Sequence, residues 1–360
     1  MARKIDSTAA FNLSGASTRI DLSTKNARQI RDALPSGLRV GDEQLLRNLA
    51  DGLAEVEMML RDVMQSDVQA VHEAALYPLG TEAIRFRPLF TLLSAQFGPK
   101  QDKRVLIAAA AVELVHLTTV YHCAVVGKAA TRRGAATVNT RRDNTDTILT
   151  GDFLLAQASR FAAALGADAV RIIAETFGEL VTGQMLETVG PAKGTDPVKH
   201  YLTVVRQKTS SLIATSCRFG GMMSGASEEH TQALYSFGEI SSIAFQISDD
   251  IIHLATPSVE PSKEQTTERR EGVRTLPILY ALAAQAADPR LVELLSGAIT
   301  NDALVAEALE LLQHSGGLER ARATLSDYAS RARTALAVLP ASPARDACEA
   351  VADHMVARTF

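Results

Sequence analysis

The stretch LLRNLADGLAEVEMMLRDV, residues 45–63, sets Leu45, Leu46, Leu49, Leu53, Val56, Met59, Leu60 and Val63 largely at three- and four-residue steps. That spacing aligns them along one side of an α-helix and does not fit a strand, where apolar residues alternate. The same texture recurs at 89–97, 105–126, 148–165, 167–181, 198–223 and 234–254. It continues at 276–286, 291–298, 303–312, 318–339 and 347–356. Gly98-Pro99, Gly166, Gly190-Pro191, Gly225, Pro289 and Pro340 punctuate these runs where helices should end. Alternating runs are nearly absent, and the many alanines favour helix because they lose no side-chain entropy on entering one. The expectation is one all-α domain over 41–360. Before it, 1–40 is rich in Ser, Thr, Asn and Asp and reads as a mobile arm, with a short helical piece around 25–34.

The 360 residues are 46% hydrophobic, enough to bury a large core. Lys plus Arg number 37 against 41 Asp plus Glu, a net charge of −4, which argues against a protein built to neutralise nucleic-acid phosphates. Cys123, Cys217 and Cys348 form no CxxC pair, so neither a disulfide framework nor a zinc module is expected. The first residues contain no signal-type apolar region, and no uninterrupted apolar run approaches the ~20 residues of a membrane span. A cytoplasmic protein without a membrane span is expected.

Three polar clusters interrupt the helices. Phe245-Gln246-Ile247-Ser248-Asp249-Asp250-Ile251-Ile252-His253 places two carboxylates among isoleucines, where burial without partners is costly. Asp249 and His253 lie four apart on one helix face, a spacing suited to a shared Mg²⁺ or diphosphate, although a solvent-facing stripe has the same spacing. Thr131-Arg132-Arg133-Gly134 can offer two planar forks to a phosphate or be a solvated turn. Arg85-Phe86-Arg87-Pro88 opens an apolar helix, whose first N–H groups also favour anions. Lys208-Thr209 and Lys263 add cations that, alone, read as surface lysines.

In order, Arg85-Phe86-Arg87-Pro88, Glu113-Leu114-Val115-His116, Thr131-Arg132-Arg133-Gly134, Gly151-Asp152-Phe153-Leu154-Leu155-Ala156, Gly183-Gln184, Lys208-Thr209, Phe245-Gln246-Ile247-Ser248-Asp249-Asp250 and Arg270-Glu271-Gly272 resemble the motifs of the trans-isoprenyl diphosphate synthases, the polyprenyl synthetases. The resemblance runs from about Leu45 to the end. It implies an antiparallel helical bundle around a deep apolar cavity, usually dimeric, with two Asp-rich motifs holding Mg²⁺ on an allylic diphosphate. By that resemblance Arg87, His116 and Arg133 contact the acceptor diphosphate. Arg132, Lys208, Gln246 and Lys263 contact the allylic one, with Thr209 beside them.

The sequence departs from the family where metal binds. The first motif, His-Asp-Asp-x-x-Asp, stands here as His122-Cys123-Ala124-Val125-Val126-Gly127, followed by Lys128. Hard Mg²⁺ does not accept alanine or a neutral thiol in place of carboxylate. Asp249 and Asp250 survive in the second motif, but His253 takes the third position and Glu268 stands for a family aspartate. Glu82-Ala83-Ile84 replaces Gly-Gly-Lys, so Ile84 takes the place of an acceptor-site lysine. Thr118 and Thr119 are small where bulky residues would cap the cavity in this family. Asp143 and Asp146 could replace lost metal ligands, although a helix N-terminus accounts for them better.

The leading expectation is an enzyme that ionises one allylic diphosphate, as in terpene-synthase chemistry. Asp249, Asp250 and His253 would hold fewer Mg²⁺ ions than the family norm, or none, and Arg132, Lys208 and Lys263 would stabilise the departing diphosphate. Lys128 would supply part of the missing charge. A non-catalytic subunit of a heteromeric prenyl synthase is the second expectation, and a chain-elongating polyprenyl diphosphate synthase the third. A homodimer, or a heterodimer with an intact synthase, is expected in each case.

Overall fold

A computed structural model describes residues 41–81, 85–100, 102–126, 131–132, 135–136, 143–255, 274–284, 288–295 and 301–359. The arm at 1–40, with its helical piece, lies outside the described residues. The described chain is helical apart from one pair of two-residue strands, β1 (Thr131–Arg132) and β2 (Ala135–Ala136), joined antiparallel with Thr131 opposite Ala136.

Helix α1 (Glu43–Val63) starts where the Asp42 carboxylate accepts the Leu45 N–H at 2.7 Å. Leu45, Leu46, Leu49, Val56 and Leu60 of its apolar stripe are buried. Next come α2 (Gln69–Thr81), α3 (Phe86–Ser94), α4 (Lys103–Val126), α5 (Asn144–Leu165) and α6 (Ala167–Val189). The second half holds α7 (Pro197–Val205), α8 (Ser211–Ser224), α9 (Glu228–Ala255), α10 (Leu276–Leu282), α11 (Pro289–Leu295), α12 (Asp302–His314), α13 (Gly317–Ala335) and α14 (Pro343–Ala357).

The core forms around α4 and α8. Helix α4 packs along α5, while α8 lies against α3, α4 and α9. Ala108 to Val112, Leu114, Val115, Leu117 and Tyr121 are all buried, so α4 is apolar on every side for lack of a solvent face. Among the described residues α4 alone is long and apolar enough to cross a membrane by length and composition, although Glu113 and His116 interrupt its apolar run, and 67% of its most apolar window is buried inside the bundle. A second core cluster joins Ile243, Ile247 and Ile251 of α9 to Leu276, Leu312, Leu318 and Leu325.

Helix ends match the glycines in three places. Gly166 (φ 112°), Gly190 (φ 77°) and Gly225 (φ 77°) close α5, α6 and α8 in backbone conformations that L side chains resist. Pro289 acts in the opposite sense to that expected. It opens α11, where its missing N–H costs nothing. The apolar run over 198–223 is divided as well, since a π-helical turn, Arg206–Ser210, separates α7 from α8.

Candidate functional site

The aspartate pair sits in the last third of α9, and its two members have different surroundings. Asp250 is 5% exposed. Its Oδ2 accepts the Tyr201 hydroxyl at 2.6 Å and the Leu276 N–H at 3.2 Å, and its Oδ1 accepts Gln246 Nε2 at 3.1 Å. Burial raises this carboxyl above its ordinary range, while the three donors pull it back. Burial and the neighbouring Asp250 charge likewise push Tyr201 well up. Asp250 thus ties α7, α9 and the start of α10 together. Asp249 is more open, and Arg358, just past the end of α14, donates from Nη2 to its Oδ1 at 2.6 Å. His253 lies one turn later and is exposed.

The site's other wall meets α9 through aromatic packing. The Phe86 ring lies 5.4 Å from the Phe245 ring, which brings the segment carrying Arg87 beside the second motif. Arg87 is half-buried at the start of α3, and His116 is half-buried on α4. Arg85 does not join them as an anion contact. It is 8% exposed and spans Glu57, at 3.0 Å, and the fully buried Glu113, at 3.4 Å. A buried guanidinium needs those carboxylates, so its role is to fasten α1, α3 and α4.

Lys208 and Thr209 lie in the π-turn. Helix α6 passes close by because Gly183 has no side chain; a Cβ there would fall 2.6 Å from the Lys208 backbone nitrogen. A relay runs from this turn to the former first motif. Lys208 pairs with Glu187, Gln184 Nε2 donates to Glu187 Oε2 at 3.0 Å, and Cys123 Sγ donates to Gln184 Oε1 at 3.3 Å. Next to Cys123, His122 Nε2 lies 3.2 Å from Asp152 Oδ1 without hydrogen-bond alignment.

The threonines before this motif turn their hydroxyls onto their own helix, Thr118 to the Leu114 carbonyl at 3.0 Å and Thr119 to His116 at 2.7 Å. Asp143 caps α5 by accepting the Asp146 N–H at 2.8 Å. Arg132 contributes its backbone to β1, and nothing of its side chain is described. Lys128, Arg133 and Lys263, with Ile84, Gly127 and Glu268, lie outside the described residues. Among the described residues no group of three or more His, Cys, Asp or Glu side chains is placed to hold a metal ion. An open pocket of about 810 Å³ lies between α12 and α13, lined by His314, Glu319 and Arg322 among others, and includes none of these residues.

Sequence reading missed Arg358, Tyr201 and Glu187. Glu187, three residues after Gln184, shares its helix face, a signal that spacing offered. Arg358 is 109 residues from Asp249, and nothing local announces the pairing.

Residues 68–312 match the polyprenyl synthetase family. The chain is 45% identical over 325 residues to a nonaprenyl diphosphate synthase of Mycobacterium tuberculosis, covering 90% of this chain and 97% of that one. It is 33% identical over 298 residues to component 2 of a heptaprenyl diphosphate synthase from Geobacillus stearothermophilus, covering 82% and 92%. The geranylgeranyl pyrophosphate synthase of Corynebacterium glutamicum, solved with calcium and isoprenyl diphosphate, superposes with a TM-score of 0.81 at 40% identity, covering 89% and 99%.

Proposed function

Because the chain belongs to the polyprenyl synthetase family, we propose that it serves the chain elongation of a prenyl diphosphate, as part of a long-chain polyprenyl diphosphate synthase. The observation that carries this is the 45% identity to a nonaprenyl diphosphate synthase, spread over 90% of this chain. It moves elongation ahead of the lone ionisation chemistry that the lost motif first suggested. In elongation the allylic C–O bond breaks, the diphosphate leaves with the electron pair, and the isopentenyl double bond attacks before a proton is lost. Arg87 and His116 would hold the acceptor diphosphate. Gln246, Lys208 and Thr209 would hold the allylic one, with Arg132, Arg133, Lys263 and Lys128 assigned by motif position.

The family is Mg²⁺-dependent, and the donor set of this chain fits that ion on one side only. Cys123 and Ala124 offer it nothing hard. Asp249, with Asp250 and His253, remains for a reduced number of ions.

A second reading, the subunit of a heteromeric synthase, is favoured by the bond from Cys123 to Gln184 where the family has metal-binding carboxylates. Val181, Met185 and Val189, one turn apart on α6 and 40%, 61% and 80% exposed, leave an apolar stripe suited to a second subunit. A cytoplasmic setting and a single domain over 41–360 belong to this proposal.

The test supplies C15 and C20 diphosphates with radiolabelled isopentenyl diphosphate and Mg²⁺ to the protein, alone and mixed with an intact polyprenyl synthase. Label in a longer product from the protein alone supports the first reading. A change in product length or yield seen only in the mixture supports the second. Diphosphate release from the allylic substrate without elongation in either sample overturns both and restores the ionisation reading.

A further inference from the structure

The end of the chain is built into the second aspartate motif. Arg358 donates from Nη2 to Asp249 Oδ1 at 2.6 Å and to the Phe245 carbonyl at 3.1 Å, and from Nε to Ser248 Oγ at 2.6 Å. Its guanidinium lies 4.4 Å from the centre of the Phe245 ring. Ser248 in turn donates to the Met355 carbonyl at 3.0 Å, and Arg322 Nε donates to the Thr359 carbonyl at 3.2 Å. Thr359 is 5% exposed. A surface ion pair would show one loose contact. Here a planar cation is held on three polar atoms and a ring face, and the segment around it is bonded on both sides.

Asp249 is also the more accessible of the motif's two carboxylates, its side chain 31% exposed where Asp250 is 5% exposed. We propose that Arg358 is a resident counter-cation that competes with a divalent metal for Asp249. A guanidinium then supplies at this site part of the positive charge that metal would otherwise bring. An ion taking Asp249 must displace Arg358 from it, against the repulsion of a like charge. At the other motif the same outcome, fewer metal ligands, is reached by substitution with Cys123 and Ala124. The inference rests on the second motif being the cation site of a diphosphate-binding protein. Its test uses no turnover, so failure of elongation and failure of the competition are separable.

The probe is Mn²⁺ binding to the full-length chain, by calorimetry and by loss of the free-ion paramagnetic signal. Arg358→Gln should bind Mn²⁺ about tenfold more tightly than the parent, the equivalent of one charge-assisted bond removed from competition. Arg358→Lys should stay near the parent. Adding Asp249→Asn to Arg358→Gln should abolish the gain. In the parent itself, saturating Mn²⁺ should accelerate amide exchange at residues 356–359. A folded Arg358→Gln that binds no more tightly overturns the proposal. So does a gain that survives Asp249→Asn, or exchange at 356–359 that Mn²⁺ leaves unchanged.

Discussion

The C-terminal end of α4 and the last third of α9 are the two places where this family concentrates aspartates, and here they have diverged in different ways. On α4 Cys123 and Ala124 stand where carboxylates are expected, and Cys123 is linked to Lys208 through Gln184 and Glu187. On α9 they remain, but Asp250 is taken up by Tyr201, Gln246 and the Leu276 N–H, and Asp249 by Arg358. One end lacks carboxylates at positions 123 and 124, and at the other the carboxylates are engaged by partners. A motif kept in sequence is therefore not the same thing as a set of available ligands.

The contrast can be broken at its weaker end. Cys123→Asp, Ala124→Asp and Gly127→Asp, combined with Ile84→Lys, should raise elongation by about 10²–10³, the scale of one well-placed charge contact in a transition state. Radiolabel transfer into longer prenyl chains measures it, and an unchanged rate would place the limitation on α9. Asp250→Ala should destabilise the fold by about 2–3 kcal/mol, because it strands the Tyr201 hydroxyl and the Leu276 N–H. Urea unfolding reads that loss.

This effect carries a pH signature. A folded-state pKa raised above the ordinary 3.8 means that the fold favours the protonated carboxyl. Its contribution is complete below that value and is lost as pH rises through the folded pKa, so the gap between parent and variant should narrow from acid toward neutral.

Two smaller changes sharpen the comparison. Gly183→Ala puts a methyl 2.6 Å from the Lys208 nitrogen and 2.8 Å from Gln207 Cβ. It should cost about 1–2 kcal/mol in thermal unfolding and weaken binding of an allylic diphosphate analogue. Asp143→Ala should cost about 1 kcal/mol, the value of a helix cap, and leave Mn²⁺ affinity unchanged. A drop in that affinity would make Asp143 a surrogate metal ligand after all.

The helices were legible because their information is local. The stripe from Leu45 to Val63 and the glycines at 166, 190 and 225 act within a turn or two of themselves. The fates of the charged residues were not legible, because they depend on partners distant in sequence. Arg85 reads as an anion contact until Glu57 and Glu113 arrive, each 28 residues away, and enclose it. Asp249 reads as a metal ligand until α14 delivers Arg358. Proline is ambiguous for a different reason, since its fixed φ suits a helix start as well as a boundary, and Pro289 takes the former role. The loss of the first motif was fully visible, since substitution needs no partner to be read.

The wide turn at Arg206–Ser210 also adjusts phase. An α-helix advances about 100° per residue, so one extra residue rotates the upstream segment by about that angle relative to the downstream one. Because of it, one continuous run of chain can aim the Tyr201 hydroxyl at Asp250 while Leu212 and Cys217 enter the main core. Relaxation of this turn into plain α-helix with no residue removed would swing Tyr201 about 100° away from its carboxylate, whereas deletion of one residue from the turn would let the helix close up and leave Tyr201 facing Asp250.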